Sequence, residues 1–393
     1  MKASAPLTRF EWPLLSLAVI LLLIGVIAIS SASVSFAEDK YQDMWYLSFR
    51  HGAYLLIASV AALVCYQIPT EFWYRTGWFW LIAASILLIL VLIPGVGHVV
   101  NGSQRWLLIG SMTLQPSELA KAALIVYLSG YLVRQQACLR QSLEGLLRPL
   151  FVLAVVSALL LAEPDFGATV IVTGTALGML FLAGMRLSHL FAILIGTLAL
   201  GALLVLTAPY RVARFTAYTD PWADPFGAGF QLVQSLIAFG RGEWLGVGLG
   251  NSVQKLFYLP EAHTDFVFSI WAEEMGFVGA FLVITVFLAL VLRIFNVGRR
   301  AFADERPYGA YLCFGVALMF SGQAFVNMGV SAGLLPTKGL TLPFVSYGGT
   351  SLITSCALLA MVLRVAGDQD QEVQTQKRRR RSARQPAGSG TKA

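Results

Sequence analysis

The chain has 393 residues, 57% of them hydrophobic and 12% charged, with a formal net charge of +7. Soluble domains carry about a quarter charged residues, so this composition excludes an ordinary soluble globular protein, and we expect a membrane protein with no nucleic-acid partner. The four cysteines are not at metal-ligand spacing and three lie in apolar runs, which argues against a disulfide framework and a zinc site.

Apolar runs long enough to cross a membrane as helices recur along the sequence. Crossing a hydrocarbon core of about 30 Å takes about 20 apolar residues, and about ten runs qualify. They lie at 13–34, 50–68, 77–95, 117–133, 149–163, 166–185, 188–208, 266–292, 308–331 and 341–363. The predicted fold class is an all-α polytopic membrane protein, with a ten-helix domain over residues 13–364.

The two ends of the chain are predicted to lie in the cytoplasm. An even number of spans places both termini on one side, and the short basic loops at 134–148 and 293–306 point that side inward. Residues 1–12 form the N-terminal tail. The first run resembles a signal peptide but is longer than a typical signal core, so we predict a retained helix. The basic tail of residues 365–393 lacks apolar periodicity and is predicted to be disordered.

The loop between the third and fourth runs carries the first outer polar cluster. It contains Arg105, and the next run begins with LQPSELAK at 114–121. Pro116 suits the first turn of a helix, and Glu118 is favourable beside it. Glu118 and Lys121 lie one helical turn apart, so they either neutralise each other or form, with Arg105, a polar lining near the outer surface.

Two more outer segments interrupt the apolar runs. Glu163-Pro164-Asp165 is a tight turn at a membrane boundary, where acids are costly unless they are solvated or paired. The periplasmic loop of residues 209–265 has an amphipathic middle, residues 230–239, that we expect along the membrane interface. Its glycine-rich run, residues 240–250, lacks nucleotide-loop spacing, so we predict tight turns and close approach to a ligand or neighbouring helix.

The densest group of ionisable residues lies at 255–274. Glu261, His263 and Asp265 precede a long apolar helix pattern there, and Asp265 falls at the boundary between loop and helix. Asp is a favoured helix N-cap. A carboxylate within reach of a sugar hydroxyl can equally act as a general base. Capping and catalysis both remain open for Asp265 on these grounds.

Later segments add further polar groups. Gln323 and Asn327 form a polar stripe within one run, for which contacts between helices are the structural explanation. Segment 336–350 brings Lys338, Ser346 and other hydroxyls to the last run, with a Gly- and Pro-marked backbone typical of a cavity lining. Acids combined with Arg and Lys near lipid depth predict a substrate with a charged head, such as a diphosphate, and an apolar tail.

Five motifs in this order resemble the SEDS family of bacterial cell-wall glycan polymerases. They are LQPSELAK at 114–121, EPDFG at 163–167, GVGLGNS at 246–252, EAHTDF at 261–266 and LTLPFVSYGGTS at 340–351. The resemblance covers essentially all ten spans. The stretch KLFYLPEAHTDF is more similar to the cell-division branch of the family than to the elongation branch.

This resemblance implies a peptidoglycan glycosyltransferase that polymerises lipid II into glycan strands during septal cell-wall synthesis. It implies that Asp265 is the catalytic residue, and we interpret it as the general base on the acceptor hydroxyl. Fixed positive charge would stabilise the departing diphosphate. The predicted substrate-binding residues are Arg105, Glu118, Lys121, Glu261, His263, Lys338 and Ser346.

The resemblance also implies where the protein works and with what. The expected partners are lipid II, the nascent glycan strand, a class B penicillin-binding protein acting as septal transpeptidase, and other divisome membrane proteins. The expected location is the inner membrane at the division septum, with the active site facing the periplasm. A divalent cation, Mg²⁺ or Mn²⁺, at the diphosphate is compatible with this reaction, but the sequence shows no dedicated ligand set for it.

Two other functions fit parts of the pattern. Many helices around polar residues also describe a transporter, here a lipid II flippase. The polar clusters lean outward and no inverted repeat is evident, which weighs against that reading. A non-catalytic scaffold of the divisome would need no acidic group at the outer surface.

Overall fold

The computed structural model describes residues 11–100, 103–110, 112–141, 144–207, 212, 216–337 and 339–384. The helices are α1 (Trp12–Ala32), α2 (Val34–Tyr41), α3 (Tyr46–Gln67), α4 (Thr70–Leu92), α5 (Pro116–Arg134), α6 (Gln136–Gln141), α7 (Glu144–Ala162), α8 (Phe166–Leu182), α9 (Leu187–Leu206), α10 (Phe230–Gly242), α11 (Val267–Ala303), α12 (Pro307–Ser331) and α13 (Gly349–Arg384). The strands are β1 (Gly97–Val100), β2 (Ser103–Ile109) and β3 (Met112–Leu114).

Each of the predicted apolar runs overlaps a helix, which confirms the all-α polytopic class. Seven helices in the described part of the chain, α1, α3, α4, α7, α11, α12 and α13, are long and apolar enough to cross a membrane. α8 and most of α9 are shorter apolar helices. α5 carries Glu118 and Lys121 near its start, which lowers its hydropathy. The number of helices that cross the bilayer remains a prediction.

The centre of the molecule is built around α5. Leu124, Leu128 and Leu132 of this helix are fully buried. α4 packs along α5, α11 along α12, and α13 along α3. On the periphery, α9 exposes Ile195 and Leu198. Lipid tails are as apolar as leucine, so such a face is stable against the bilayer.

A three-stranded antiparallel sheet in the outer loop is a feature that sequence analysis missed. The strands lie in the order β1-β2-β3, with Trp106 opposite His98 and Leu107 opposite Leu114. Aromatic and β-branched residues favour strands, but strands of 4, 7 and 3 residues are too short for a clear alternating pattern. The sheet matters here because β2 carries Arg105.

α11 is broken near its start. Gly276 has φ 67° and ψ −166°, so the helix consists of residues 267–275 and residues 277–303. The glycine-rich loop supplies partners for the backbone groups that the break leaves free. The amides of Val247 and Gly248 donate to the carbonyls of Glu273 and Glu274, each at 3.0 Å. In the other direction, the Phe277 amide donates to the Glu243 carbonyl at 2.9 Å and the Val278 amide to the Trp244 carbonyl at 3.2 Å.

The same contact explains the glycines. A Cβ on Gly246 would lie 2.1 Å from the carbonyl oxygen of Glu274, and a Cβ on Gly276 would lie 2.4 Å from the amide nitrogen of Gly246. The predicted tight turns and close approach are therefore present, and the neighbour is a helix. α10 is helical as its amphipathic pattern predicts, and it packs against α11.

The last helix differs from the prediction at both ends. It begins at Gly349 rather than at residue 341, because Pro336, Pro343 and Gly348 hold the preceding segment outside helical conformation. It continues to Arg384, so the stretch predicted to be disordered is helical up to that residue. Gln, Glu, Lys and Arg in this stretch are good helix formers. Their helix propensity favours a helix here although the stretch has no apolar face.

Candidate functional site

Asp265 lies where a tight turn meets α11. The carbonyl of Glu261 accepts hydrogen bonds from the amides of Thr264, Asp265 and Phe266 at 3.2–3.3 Å, and the Thr264 hydroxyl donates to the Glu261 carboxylate at 2.8 Å. α11 begins at Val267, and its N-cap is Phe266, without a side-chain cap bond. Asp265 is one residue outside the cap position. The N-cap position of α11 is therefore occupied by Phe266 and not by Asp265.

His263 is a buried neighbour of Asp265. Its ring lies between those of Phe36 and Tyr347, at centroid distances of 4.9 and 5.7 Å. Burial lowers the pKa of His263 below its ordinary value of 6.5; Lys40 adds to this and Glu261 opposes it. The imidazole is therefore held neutral near pH 7 and can offer one donor and one acceptor.

The segment before α13 passes directly beside Asp265. A Cβ on Gly339 would lie 2.9 Å from Oδ2 of Asp265. Asn327 on α12 donates from Nδ2 to the carbonyl of Asp265 at 2.8 Å and to the carbonyl of Leu340 at 2.6 Å. These contacts bring the motifs at 261–266 and 340–351 together. Lys338, predicted to bind substrate, lies outside the described residues.

Ser346 serves the fold of that same segment. Its hydroxyl accepts a hydrogen bond from the Leu342 amide at 2.8 Å, and its own amide donates to the Leu342 carbonyl at 2.9 Å. Ser346 is buried. The hydroxyl closes a turn in this segment, and its contact with substrate stays a prediction.

The start of α5 meets the start of α13. The Gln115 amide donates to Oγ1 of Thr350 at 3.0 Å, and the Thr350 hydroxyl donates to the Thr113 carbonyl at 3.2 Å. One turn further in, Nζ of Lys121 lies 2.8 Å from Oε1 of Glu118, with both side chains buried. The two charges therefore neutralise each other in this structure, and contact of Lys121 or Glu118 with substrate stays a prediction.

Arg105 holds the turn between α7 and α8. Its guanidinium donates to the Glu163 carbonyl at 3.1 Å and to the Pro164 carbonyl, and it lies 3.9 Å from Oδ1 of Asp165. The Asp165 carboxylate caps α8 by accepting from the Ala168 amide at 3.1 Å. Arg105, which the sequence predicts to bind substrate, thus links strand β2 to the EPDFG turn.

Glu163 in this turn is a buried acid that was not among the predicted site residues. Among the described residues, neither of its carboxylate oxygens has a hydrogen-bond partner. Burial raises the pKa of Glu163 to about 8; Asp165 adds to this, and Arg105 opposes it. The turn packs on the segment beside Asp265, since a Cβ on Gly167 would lie 3.0 Å from Cγ of Leu340.

Glu273 and Glu274 lie at the other end of residues 267–275 and stabilise it. Glu273 is 3.6 Å from Nε of Arg241, and Oε1 of Glu274 is 3.0 Å from Nζ of Lys255. The Ser31 hydroxyl on α1 donates to Glu274 at 2.5 Å. Two of the acids that make residues 255–274 so prominent in the sequence therefore anchor the broken helix to its surroundings.

The structure assembles the predicted motifs at one end of the helices. Glu261, His263 and Asp265 lie in one turn, and segment 339–347 contacts it at Gly339 and Tyr347. The start of α5 meets the start of α13 at Thr350, and the Arg105 turn packs on Leu340. Sequence reasoning missed the roles of Asn327, Gly339 and Glu163. Asn327 did leave a signal, as a polar residue within an apolar run. Within the described ranges, no group of three or more His, Cys, Asp or Glu side chains could hold a metal ion.

Comparison with known proteins places this arrangement in context. The cell cycle protein family model for FtsW, RodA and SpoVE matches residues 12–371. A probable peptidoglycan glycosyltransferase FtsW of Legionella pneumophila is 48% identical over 362 residues, covering 92% of each chain. Another of that name, from Hahella chejuensis, is 51% identical over 358 residues, covering 91% of this chain and 90% of the relative.

Solved structures show the same fold. A chain from a peptidoglycan synthase complex that coordinates polymerization and crosslinking superposes with a TM-score of 0.76 at 31% identity, covering 92% of this chain and 98% of that one. The rod shape determining protein RodA of Thermus thermophilus superposes with a TM-score of 0.69 at 28% identity, covering 93% of this chain and 99% of RodA.

Proposed function

Because this chain belongs to the FtsW, RodA and SpoVE family of cell cycle proteins, we propose that it polymerises lipid II into glycan strands during septal cell-wall synthesis. It is a multi-pass inner-membrane protein, and its relatives at 48% and 51% identity bear the name peptidoglycan glycosyltransferase. The SEDS family expected from the sequence motifs is the one that the comparisons identify.

The observation that carries the proposed chemistry is the position of Asp265. It stands at the start of a broken helix but outside the cap position, and its backbone is held by Asn327. A segment with a glycine at its closest point passes beside the carboxylate. A half-buried acid in this setting suits a general base, since such a group must reach the proton it removes.

In this reaction Asp265 accepts the proton of the acceptor's sugar hydroxyl. The hydroxyl oxygen attacks the anomeric carbon of the lipid-linked donor, and the bond from that carbon to the diphosphate oxygen breaks. The diphosphate leaves with the bonding electrons, and the proton remains on Asp265. Direct displacement of this kind inverts the configuration at the anomeric carbon.

The cations assigned to the diphosphate already have partners. Lys121 pairs with Glu118, and Arg105 donates to two carbonyls. An ammonium has three N–H donors and a guanidinium has five, so each has donors left for a phosphate oxygen. Fixed positive charge at that place stabilises the negative charge that develops on the leaving group. Lys338 belongs to the same proposal on sequence grounds.

A dedicated metal site is not part of this proposal. The described residues hold no cluster of three acidic, His or Cys ligands, and Glu118 is already engaged by Lys121. Mg²⁺ or Mn²⁺ at the diphosphate would have to take most of its ligands from the substrate and from water. No step above depends on such a cation.

The proposed partners follow from the product. A growing glycan strand must be crosslinked, and the matching solved chain comes from a complex that coordinates polymerization with crosslinking. We therefore propose a class B penicillin-binding protein as the septal transpeptidase partner, together with other divisome membrane proteins. The termini would be cytoplasmic and the Asp265 site periplasmic.

The direct test uses the purified chain with fluorescently labelled lipid II and no other polymerase. We expect a ladder of glycan strands on a gel. Lipid II that crosses a vesicle membrane without forming polymer would support the flippase alternative instead. Lipid II that neither polymerises nor crosses, even with the partner transpeptidase present, would indicate a scaffold and contradict the proposal.

A further inference from the structure

Asn327 holds the backbone of the Asp265 segment, and the reaction steps above give this amide no part of their own. The residue lies on α12 and is 1% exposed. Its amide nitrogen donates to the carbonyl oxygens of Asp265 at 2.8 Å and of Leu340 at 2.6 Å. One side chain thereby joins the backbones of the two segments that flank the Asp265 carboxylate.

These two segments meet closely around the carboxylate. On one side, a Cβ on Gly339 would lie 2.9 Å from Oδ2 of Asp265. Further along, the Tyr347 amide donates to the His263 carbonyl at 3.0 Å. Residues 263–265 and 339–347 are thus held side by side, and Asn327 bonds to the backbone of Asp265 itself.

Asn327 is itself fixed relative to the helix that follows Asp265. The Ser331 hydroxyl donates to the Asn327 carbonyl at 3.0 Å. The Ser235 hydroxyl on α10 donates to the Ser331 carbonyl at 2.6 Å and shares a hydrogen bond of 2.6 Å with the hydroxyl of Ser269. Residues 267–275, α10 and the end of α12 are therefore connected by hydrogen bonds, and this network holds the side-chain amide of Asn327 in place.

The chemistry of the contact requires a donor. Within the described part of the chain, Oδ1 of Asn327 has no hydrogen-bond partner, so its role here is donation to carbonyls. A leucine has nearly the same shape without donors, and an aspartate would place negative charge against two carbonyl oxygens. Gln323, one turn earlier on α12, is equally buried, which makes it a matched control.

We propose that Asn327 is a positioning residue for the polymerisation reaction, holding Asp265 in place through the backbones of Asp265 and Leu340. This inference rests on the proposed function. Displacing a reacting group by about 1 Å can lower the rate about 10²-fold. The α5 ion pair does not depend on Asn327, so substrate binding should persist when the amide is removed.

The kinetic test compares Asn327→Leu with Gln323→Leu in the full-length protein, using initial rates of labelled lipid II polymerisation. We expect kcat of Asn327→Leu to fall roughly 10- to 100-fold with KM nearly unchanged, and Gln323→Leu to stay close to wild type. A wild-type kcat for Asn327→Leu, an equal loss in Gln323→Leu, or a loss confined to KM would overturn the proposal.

Hydrogen–deuterium exchange gives a second measurement that needs no lipid II. In Asn327→Leu, exchange should be faster in residues 258–270 and 339–348 and unchanged in α3. In Gln323→Leu, exchange should be unchanged in all of these segments. Unchanged exchange in both segments would count against a positioning role whatever the kinetics. If Asn327→Leu does not fold, Asn327→Ser takes its place in the same two measurements. Its single, shorter donor cannot reach both carbonyls, so we expect a lower kcat and faster exchange in both segments. Wild-type values in both measurements would overturn the proposal.

The two proposals fail in different ways. A wild-type protein without polymerase activity contradicts the proposed function. In that case only the exchange data test whether Asn327 holds the two segments in place. A wild-type protein that polymerises, with Asn327→Leu equally active, leaves the proposed function intact and removes the positioning role.

Discussion

Asp165 and Asp265 differ in their position relative to the helix that follows each of them. Asp165 is the N-cap of α8 and accepts from the Ala168 amide at 3.1 Å. Asp265 lies one residue before the N-cap of α11, whose cap makes no side-chain bond. The sequence alone could not show which of the two acids occupies an N-cap position, because both stand directly before an apolar helix pattern. The difference depends on where the helix begins, to within one residue.

The Lys121–Glu118 pair allows fold and substrate roles to be separated. Lys121→Met leaves Glu118 buried without its partner, and breaking a buried pair costs about 3–5 kcal/mol. The double variant Lys121→Met with Glu118→Gln should recover most of that loss. We expect thermal unfolding to show this recovery while lipid II polymerisation remains weak, because the cation is still missing. Full activity in the double variant would make the pair purely structural.

Glu163 should make stability depend on pH. Burial raises its pKa from 4.5 to about 8, so the folded chain keeps a proton that the unfolded chain loses. Stability should therefore fall as pH rises between those two values. Glu163→Gln stays neutral and should be more stable near pH 8 by about 1–3 kcal/mol.

Thermal unfolding at a series of pH values checks this prediction. Glu38→Gln, the same substitution at an exposed position, is the matched control. Parallel profiles for wild type and Glu163→Gln would mean that Glu163 is ionised in the folded protein.

The break in α11 is the element on which the site depends. Asp265 lies just before residues 267–275, and the anchored Glu273 and Glu274 lie at the far end of this stretch. Backbone bonds to residues 243–248 close the break, so the glycine loop and the broken helix form one unit. A change in the loop should therefore reach the acid through the helix.

Gly276→Ala tests this unit. The new Cβ would lie 2.4–2.6 Å from backbone atoms of Gly246 and Trp244, at a φ of 67°. Strained backbone of this kind costs about 1–3 kcal/mol, and the clash adds to it, so we expect a clear drop in thermal stability and activity. Gly240→Ala in α10, with nothing within 4 Å of its Cβ, should be neutral or slightly stabilising. Equal behaviour of the two variants would refute the close packing.

Elements were predictable where the bilayer dictates the pattern. Apolar runs identified the helices because a membrane leaves few other ways to satisfy the backbone. The break at Gly276, the outer sheet and the first residue of α13 were not predictable. The break depends on contacts with a distant segment, such as Val247 with Glu273, which leave no local period. The strands are too short for an alternating pattern, and the apolar run continues across the non-helical segment before Gly349. The site followed the same rule: the motifs named Asp265, but only the fold reveals Asn327 and Gly339 beside it.

In the proposed topology the site residues and the Arg75–Glu71 pair lie on opposite sides of the membrane. The Asp265 group, the α5 pair and the Arg105 turn lie at one end, and the exposed Arg75–Glu71 pair belongs to the opposite, cytoplasmic side in the proposed topology. A lipid-anchored substrate would meet the first group from the outer leaflet. This orientation is what a periplasmic polymerase requires.

Labelling of single cysteines tests the orientation. In a background without the four native cysteines, Phe226→Cys, at a position 89% exposed in the large loop, should react with a membrane-impermeant maleimide in intact spheroplasts. Arg75→Cys, at an exposed position near the start of α4, should react only after permeabilisation. The reverse pattern would place the site in the cytoplasm.

The central claim is that the Asp265 carboxylate removes the acceptor's proton. It is tested most directly by the initial polymerisation rate of Asp265→Asn with labelled lipid II, compared with Asp220→Asn, a change at an exposed loop aspartate. Asn caps helices about as well as Asp, so any contribution to capping is preserved. We predict that Asp265→Asn folds normally and loses about 10²–10⁴ in rate, while Asp220→Asn polymerises like wild type. Polymerisation by Asp265→Asn at the wild-type rate would contradict the account.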